Sequence, residues 1–154
     1  VIAGAPSIDD SLYREVMGDK VVPVLRDATY PLVHHARAAL VTSGTAALET
    51  ALLGAPQVAC YRFTGSKWSY KFYRRLLKGN YVTLPNLITD EPVIPELLMH
   101  LCTVDSIDSH LTQLLGDTSE RAAMLDGYNR LSQRLGTDVC TTTAARLITA
   151  SLTI

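Results

Sequence analysis

The first half of the chain alternates short apolar runs with longer stretches of helical spacing. The apolar runs are rich in Val and Ala, which is typical of parallel strands covered on both faces, and they comprise Val1–Ala5, Lys20–Leu25, Ala39–Thr42 and Gln57–Tyr61. The stretches between them have helical spacing. They predict three helices, at Ser7–Met17, Tyr30–Ala38 and Thr45–Leu53. This strand–helix–strand order predicts right-handed crossovers and a doubly wound, mostly parallel sheet of the α/β class.

The second half of the chain is predominantly helical in pattern. Apart from a short strand and turn at Tyr81–Ile88, the predicted elements are helices at Ser66–Lys78, Val93–Leu101, Ser106–Leu115, Ser119–Leu135 and Cys140–Leu152. The sequence shows no internal repeat and no flexible linker. We therefore expect residues 1–154 to form a single Rossmann-like domain with a helical C-terminal tail.

Composition limits the classes of function. The 154 residues are 47% hydrophobic and carry a formal net charge of -1, so a domain with a real core is expected and a general affinity for nucleic acid is not. No apolar run is long enough to cross a bilayer. Three cysteines without paired spacing indicate a reduced, cytosolic compartment. A metal site is not expected, because His34 and His35 are adjacent and cannot chelate from one helix face. No cofactor is expected either.

The stretch Ala39–Glu49 carries the clearest chemical pattern. A strand runs into Thr42-Ser43-Gly44-Thr45, and a helix follows at once. The backbone N–H groups and dipole at such a helix start stabilise a phosphate, and Gly44 permits close approach. Ser43 and Thr45 add hydroxyl groups, and Glu49, one turn further, is placed to accept hydrogen bonds from a ribose. The alternative interpretation is an ordinary capped turn with a solvated Glu49.

Residues 50–89 contain no Asp or Glu but hold six of the 14 basic residues and most of the aromatic ones. On the predicted helix Ser66–Lys78 the basic side chains fall on one arc and the aromatic ones on the rest. This pattern predicts contact with a membrane interface through Lys67, Trp68, Lys71, Phe72, Arg74, Arg75 and Lys78. The alternative is a surface helix packed on the core through its aromatic residues. Nucleic acid is disfavoured, because the remaining chain is acidic.

The turn Leu84-Pro85-Asn86 is a second candidate for ligand contact. Pro85 fixes the backbone, and the amide of Asn86 can donate to or accept from a diphosphate or a base edge. In the alternative interpretation Asn86 caps its own turn.

These stretches together resemble the C-terminal domain of lipid-A-disaccharide synthases. The resemblance is carried by Ser43-Gly44-Thr45-Ala46-Ala47-Leu48-Glu49, Pro56-Gln57-Val58…Tyr61-Arg62 and Leu84-Pro85-Asn86, and it extends over nearly the whole chain. One departure is Ala47, where the family usually has Thr.

The resemblance implies a domain of a two-domain glycosyltransferase of the GT-B type. It implies that Ser43, Gly44, Thr45, Glu49, Arg62 and Asn86 bind the UDP part of UDP-2,3-diacylglucosamine. The acceptor would be 2,3-diacylglucosamine 1-phosphate, the reaction would invert the anomeric centre, and the enzyme would lie at the cytoplasmic surface of a Gram-negative inner membrane. A homodimer is left open.

Two family features are absent from these 154 residues. One is the first strand of the sheet with its Leu-Pro-Gly-Ser-Arg segment, whose absence would remove a central position of the sheet and leaves open whether a second copy fills the gap. The other is the N-terminal domain with the acceptor site and the catalytic base. No catalytic residue is therefore assigned, and the chain alone is expected to be inactive. Two alternatives remain: a domain of another UDP-sugar glycosyltransferase or epimerase of this fold, and a non-catalytic Rossmann-like interaction module.

Overall fold

A computed structural model describes residues 1–42, 44–62, 81–136 and 140–152. In these ranges the strands are β1 (Ile2–Gly4), β2 (Val24–Arg26), β3 (Ala39–Val41), β4 (Gln57–Tyr61) and β5 (Glu96–Leu98). The helices are α1 (Asp10–Met17), α2 (Thr29–His35), α3 (Gly44–Leu52), α4 (Leu84–Thr89), α5 (Val104–Leu115), α6 (Ser119–Leu135) and α7 (Cys140–Leu152), and a 3-10 turn spans Met99–Leu101. The predicted helix at Ser66–Lys78 lies outside the described residues.

The strands form two parallel sheets. β1 pairs with β2, with Ile2 opposite Val24. The second sheet has the order β3-β4-β5, in which Leu40 lies opposite Val58 and Cys60 opposite Leu97. Parallel strands joined by helices confirm the predicted α/β class.

A cavity of about 730 Å³ lies between the two sheets. Residues of both β1 and β3 line this cavity, together with side chains from α2 and α3. The order across the molecule is therefore β2-β1, the cavity, then β3-β4-β5. Moving away from the cavity, β1 is followed by β2 on one side, and β3 is followed by β4 and β5 on the other side. The order in which strands are added therefore reverses at the cavity.

Caps define the helix ends more closely than the sequence pattern does. Asp9, and not the predicted Ser7, caps α1, because its carboxylate accepts the N–H of Ser11 at 2.8 Å. Gly18, with φ of 59°, ends this helix as predicted. The hydroxyl of Thr118 accepts the N–H of Arg121 at 3.2 Å and starts α6, which also agrees with the sequence.

Two predicted elements are wrong. Tyr81–Ile88 was expected to contain a strand, but Leu84–Thr89 is helix α4, with Pro85 in its first turn, where a missing N–H costs nothing. Val93–Leu101 was expected to be a helix, but Glu96–Leu98 is strand β5. Pairing with β4 satisfies the backbone groups of β5, and this long-range contact is invisible in local apolar spacing.

Among the described residues, the cluster of buried apolar side chains lies on one side of the cavity. Its buried apolar members come from α3, β4, β5, α5 and α6 and include Ala47, Ala51, Val58, Ala59, Leu97, Leu114, Met124, Tyr128 and Leu131. Neither α1 nor α2 has a buried residue. The expectation of strands buried on both faces therefore holds for β4 but is wrong for β2 and β3, where Leu25 is 45% and Leu40 51% exposed.

Candidate functional site

The turn between β3 and α3 lies at the carboxyl edge of the second sheet. β3 ends at Val41 and α3 begins at Gly44, so the free N–H groups of the first helical turn face this edge. Thr42 and Thr45 are exposed to solvent. Ser43, predicted to add a hydroxyl, lies outside the described residues. An anion outside the sheet edge can therefore approach these N–H groups and the Thr45 hydroxyl.

A buried polar network fixes the position of α3. The side-chain amide of Gln57, on β4, donates to the carbonyl of Ala47 at 2.9 Å and to the Tyr128 hydroxyl at 3.2 Å. That hydroxyl donates in turn to the carbonyl of Ala55 at 3.1 Å. Burial raises the pKa of Tyr128, so the phenol stays protonated and acts as this donor. Helix α3 is thus attached to both β4 and α6.

Glu49 lies beside a residue that the sequence analysis did not select. The hydroxyl of Tyr30, at the start of α2, donates to a carboxylate oxygen of Glu49 at 3.4 Å. Tyr30 is 58% exposed, and Glu49 is half-buried. No local pattern in the sequence indicates this contact, because it joins two different helices. The Glu49 carboxylate therefore has a hydrogen-bond donor on α2.

Arg62 follows the last residue of β4 and is exposed. Because β3 and β4 are parallel neighbours, their carboxyl ends share one edge of the sheet. Arg62 and the turn at Gly44 therefore lie at the same edge, where the guanidinium can add positive charge to an anion site.

Asn86 is placed differently from the sequence expectation. Its side chain is 1% exposed, and its amide donates to the carbonyl of Ile94 at 2.9 Å and to Glu96 at 3.0 Å. Its oxygen accepts the N–H of Ile94 at 2.9 Å. Both the nitrogen and the oxygen of the Asn86 amide therefore form hydrogen bonds within the protein. This geometry favours a role in positioning strand β5 over direct contact with a nucleotide.

Glu96 is the second residue near the sheet edge that the sequence analysis did not select. It lies within the segment Val93–Leu101, which was predicted to be a helix. One carboxylate oxygen accepts hydrogen bonds from the Thr83 N–H at 2.8 Å and the Thr83 hydroxyl at 2.7 Å. The N–H of Val82 also points to this carboxylate, at 3.1 Å. Glu96 therefore anchors the chain that enters α4 at the edge of the sheet. Leu84, the first residue of α4, lies 3.9 Å from the Cβ position of Gly44.

A separate cavity of about 610 Å³ lies between β5, α5 and α6. Its polar lining includes Glu91 and Arg130, which form a salt bridge at 2.8 Å, and also His110 and Glu120. Asn86 borders this cavity, whereas Gly44, Thr45, Glu49 and Arg62 do not. The nucleotide-binding prediction therefore concerns the sheet edge and not this cavity.

The thiol of Cys60 has the properties of a structural, unreactive cysteine. Burial, with a smaller contribution from the neighbouring thiol of Cys102, raises the pKa of Cys60 to about 11. A thiol with this pKa is almost fully protonated at neutral pH and is a poor nucleophile.

The structure places no metal centre or membrane-spanning helix among the residues it describes. Within those ranges no three His, Cys, Asp or Glu side chains lie close enough to share a metal ion. No described helix has both the length and the apolar character needed to cross a bilayer. The residues expected at a membrane interface, Lys67, Trp68, Lys71, Phe72, Arg74, Arg75 and Lys78, lie outside the described ranges.

Comparison with known proteins identifies the family of the chain. The family model described as lipid-A-disaccharide synthetase matches residues 14–148, which is most of the chain. The chain belongs to the lipid-A-disaccharide synthase family. This confirms the resemblance seen in the sequence motifs, since all three motifs lie inside the matched range.

Individual lipid-A-disaccharide synthases show the same relationship. The chain is 37% identical to that of Rhodospirillum centenum over 89 residues, which are 58% of this chain and 22% of the relative. It is 30% identical to that of Geobacter metallireducens over 127 residues, which are 82% of this chain and 33% of the relative. It is 34% identical to that of Pseudomonas aeruginosa over 83 residues, 54% of this chain and 21% of the relative. The chain thus spans between a fifth and a third of these curated relatives.

Within the lipid-A-disaccharide synthase motif, Ala47 has a clear packing role. Its side chain is fully buried against β4, and its carbonyl receives the Gln57 amide. The small residue lets α3 lie close to the strand that carries Gln57, which keeps the first turn of α3 at the sheet edge.

Proposed function

We propose that this chain forms the nucleotide-sugar-binding domain of an inverting glycosyltransferase that makes the lipid A disaccharide. In this role it holds the UDP part of UDP-2,3-diacylglucosamine while the sugar is transferred to 2,3-diacylglucosamine 1-phosphate and UDP is released. The observation that carries the proposal is the exposed start of α3 at the carboxyl edge, beside the point where the strand order reverses. Open α/β sheets bind nucleotides at such a point.

Each residue at this edge has a distinct part in the proposal. The N–H groups at Gly44 and Thr45, with the helix dipole, stabilise the diphosphate, and the Ser43 hydroxyl adds a donor. Arg62 supplies positive charge to the leaving UDP. Glu49 accepts hydrogen bonds from the ribose, and Tyr30 orients its carboxylate through the contact described above.

Calorimetry with UDP tests the donor site. Glu49→Ala is expected to weaken UDP binding about tenfold or more, since a hydrogen bond to a charged group contributes about 1.5–3 kcal/mol. Glu15→Ala is the matched control, because it removes the same charge from exposed helix α1, away from the site. No heat with UDP at millimolar concentration, or equal losses in both variants, would contradict the proposal.

Gly44→Ala provides an independent test that leaves the fold intact. Among the described residues, a Cβ on Gly44 would meet Leu84 Cγ at 3.9 Å, which is ordinary van der Waals contact. The same methyl group would stand where the diphosphate approaches the backbone. We expect an unchanged melting temperature and clearly weaker UDP binding. Unchanged UDP affinity would show that the diphosphate does not bind at this turn.

We also propose that residues 66–78 bring the protein to the cytoplasmic surface of the inner membrane of a Gram-negative bacterium. The support is the sequence alone: five cations and four aromatic residues without an acid fit an interface where both acylated substrates reside. A homodimer is compatible with this arrangement but no described contact argues for one.

Co-sedimentation with lipid vesicles tests the membrane proposal. Vesicles of phosphatidylcholine with phosphatidylglycerol should bind the protein, and the double charge reversal Lys71→Glu with Arg74→Glu should release it. The matched control is Arg14→Glu with Lys20→Glu, which makes the same charge change near α1. The proposal is contradicted if vesicle binding is unchanged by the Lys71 and Arg74 reversals. It is also contradicted if both double variants lose binding to the same extent.

A further inference from the structure

The cavity of about 610 Å³ between β5, α5 and α6 has the size and composition of a small-molecule site. Such sites generally enclose about 300–1,000 Å³ and combine an apolar wall with a few convergent polar groups. The wall here includes buried apolar side chains, among them Val93, Ile94, Leu114 and Met124. Gly44 does not border the cavity, so a ligand here would not occupy the proposed nucleotide site.

Part of the polar lining is already bonded within the protein. Glu91 forms a salt bridge with Arg130 at 2.8 Å, and Glu96 accepts the N–H of Thr83 at 2.8 Å. The Asn86 amide also donates to Glu96, at 3.0 Å. These groups give the wall a fixed shape and charge, because replacing such internal bonds by bonds to a ligand gains little free energy.

Other polar side chains of the lining are available to a ligand. His110 and Gln113 lie three residues apart on α5 and therefore share one face of that helix. Neither side chain forms a hydrogen bond with another described residue. Glu120 borders the cavity from the first turn of α6 and is exposed to solvent. Hydrogen bonds from its own N–H and from the Ser119 hydroxyl hold the pKa of Glu120 below its usual value, so the carboxylate is charged at neutral pH.

The charges of the lining indicate the sign of the ligand. Besides His110, the described residues that border the cavity include three carboxylates and one guanidinium, on Glu91, Glu96, Glu120 and Arg130. The guanidinium is already paired with Glu91, so the remaining charge is negative. A recess lined by one sign of charge attracts a ligand of the opposite sign. A cation therefore fits this cavity, whereas a phosphate or a carboxylate would be repelled.

We propose that this cavity binds an organic cation with a compact apolar body, of the aryl amidine or alkylammonium class. The body packs against the buried wall, and the positive group lies near the Glu120 carboxylate. His110 and Gln113 add hydrogen bonds that fix the orientation of the ligand. The proposal does not depend on nucleotide binding, because the turn at Gly44 lies outside this cavity.

Three molecules of nearly the same shape separate the effect of charge from that of apolar contact. Benzamidine is cationic at neutral pH, benzamide is neutral and benzoate is anionic. Each is titrated into the protein to about 20 mM, since so small a ligand binds weakly, and binding is measured from the backbone amide NMR signals of α5 and α6. We expect benzamidine to bind about two- to fivefold more tightly than benzamide, the ratio that an exposed ion pair provides. Benzoate should bind more weakly than either.

Two substitutions on α6 test the position of the ligand. Ala123 borders the cavity and Ala122 does not, although both are exposed on the same helix. Ala123→Phe places a ring in the cavity and should weaken benzamidine binding about tenfold or more. Ala122→Phe is the matched control and should leave benzamidine binding unchanged. Because both positions are exposed, neither substitution is expected to unfold the protein.

Glu120→Gln tests the charge independently of the shape. It should weaken benzamidine binding about two- to fivefold and leave benzamide binding unchanged. Glu15→Gln is the matched control, because Glu15 is exposed on α1 and does not border the cavity. If Ala123→Phe fails to fold, this pair of variants still decides the question.

Three outcomes would overturn the proposal. The first is an absence of benzamidine binding at the highest concentration. The second is equal binding of the three molecules, which would indicate an apolar surface without charge selection. The third is equal weakening by Ala123→Phe and Ala122→Phe, which would place the ligand outside the cavity.

Discussion

The side chain of Asn86 is paired with the backbone of Ile94 through both of its ends. Its nitrogen donates to the Ile94 carbonyl, and its oxygen accepts the Ile94 N–H, each at 2.9 Å. The pair imitates one step of a strand ladder and holds residues 90–95 against α4. The residue that the sequence suggested as a ligand is thus a structural crosslink between α4 and β5.

Asn86→Ala should therefore reduce stability and leave nucleotide binding unaffected. The variant leaves the buried N–H and C=O of Ile94 without partners, and each such group costs about 1–3 kcal/mol. We expect the free energy of unfolding in urea to fall by roughly 2–4 kcal/mol, while UDP affinity of the folded fraction stays within twofold.

Asn129→Ala is the control for this variant, because Asn129 is exposed on α6 and its replacement should change stability little. A large loss of UDP affinity in Asn86→Ala, with unchanged stability, would restore the direct ligand role that the sequence suggested.

Gly127 marks the closest approach of α6 to Val93. A Cβ at Gly127 would lie 2.5 Å from Val93 Cγ1 and 3.0 Å from Cγ2. Gly127→Ala should therefore lower the free energy of unfolding by about 1–3 kcal/mol, although Ala is the better helix former. In a Val93→Ala background the same change should be neutral or stabilising, since the obstructing methyl groups are gone. Thermal unfolding of the four proteins in this cycle measures the coupling; additive effects would contradict the close packing.

The Cys60 thiol should resist alkylation at neutral pH. In a protein with Cys102→Ala and Cys140→Ala only this thiol remains, and burial, the largest cause of its raised pKa of about 11, is retained. The rate of reaction with iodoacetamide should rise through pH 9 and 10 without a plateau. A plateau near pH 8.5, the ordinary range of a thiol, would show that the side chain is not buried as described.

Asp9 should contribute to stability only above acidic pH. Hydrogen bonds from the Ser11 hydroxyl and N–H hold the pKa of the Asp9 carboxyl below its ordinary value of 3.8. Because the folded pKa is the lower one, the stabilisation is present above pH 3.8 and is lost as pH falls through the folded pKa. Asp9→Asn keeps the cap acceptor without titrating.

Two measurements check this prediction. An NMR titration should give a midpoint for Asp9 below 3.8. The wild type should also lose stability relative to Asp9→Asn as the pH drops below that value. A parallel acid dependence of the two proteins would exclude the carboxylate contribution.

Elements defined by local pattern were predicted well. The apolar runs located β1, β3 and β4, and the spacing around Gly54 and Thr118 located α3 and α6. The strand-to-helix turn at Gly44 was also predicted, and the structure has β3 ending at Val41 and α3 beginning at Gly44. These features depend on residues that are close together in the chain.

Elements defined by distant partners were not predicted. The strand character of Glu96–Leu98 depends on pairing with Ala59–Tyr61, and Glu96 acts through contacts with Val82 and Thr83. The contact of Tyr30 with Glu49 likewise joins two helices across the sheet edge. The arrangement of two sheets around a cavity depends on the spatial order of strands, which apolar spacing does not encode.

The attachment of α3 through Gln57 has a consequence for the order of synthesis. The Tyr128 hydroxyl that accepts the Gln57 amide lies 71 positions later in the chain. On a translating ribosome, the segment 44–57 emerges well before α6 exists, and contacts between distant positions form slowly. The turn at Gly44 should therefore acquire its final placement only after residue 128 has left the ribosome, and a nascent chain stopped at α5 should show α3 as rapidly exchanging.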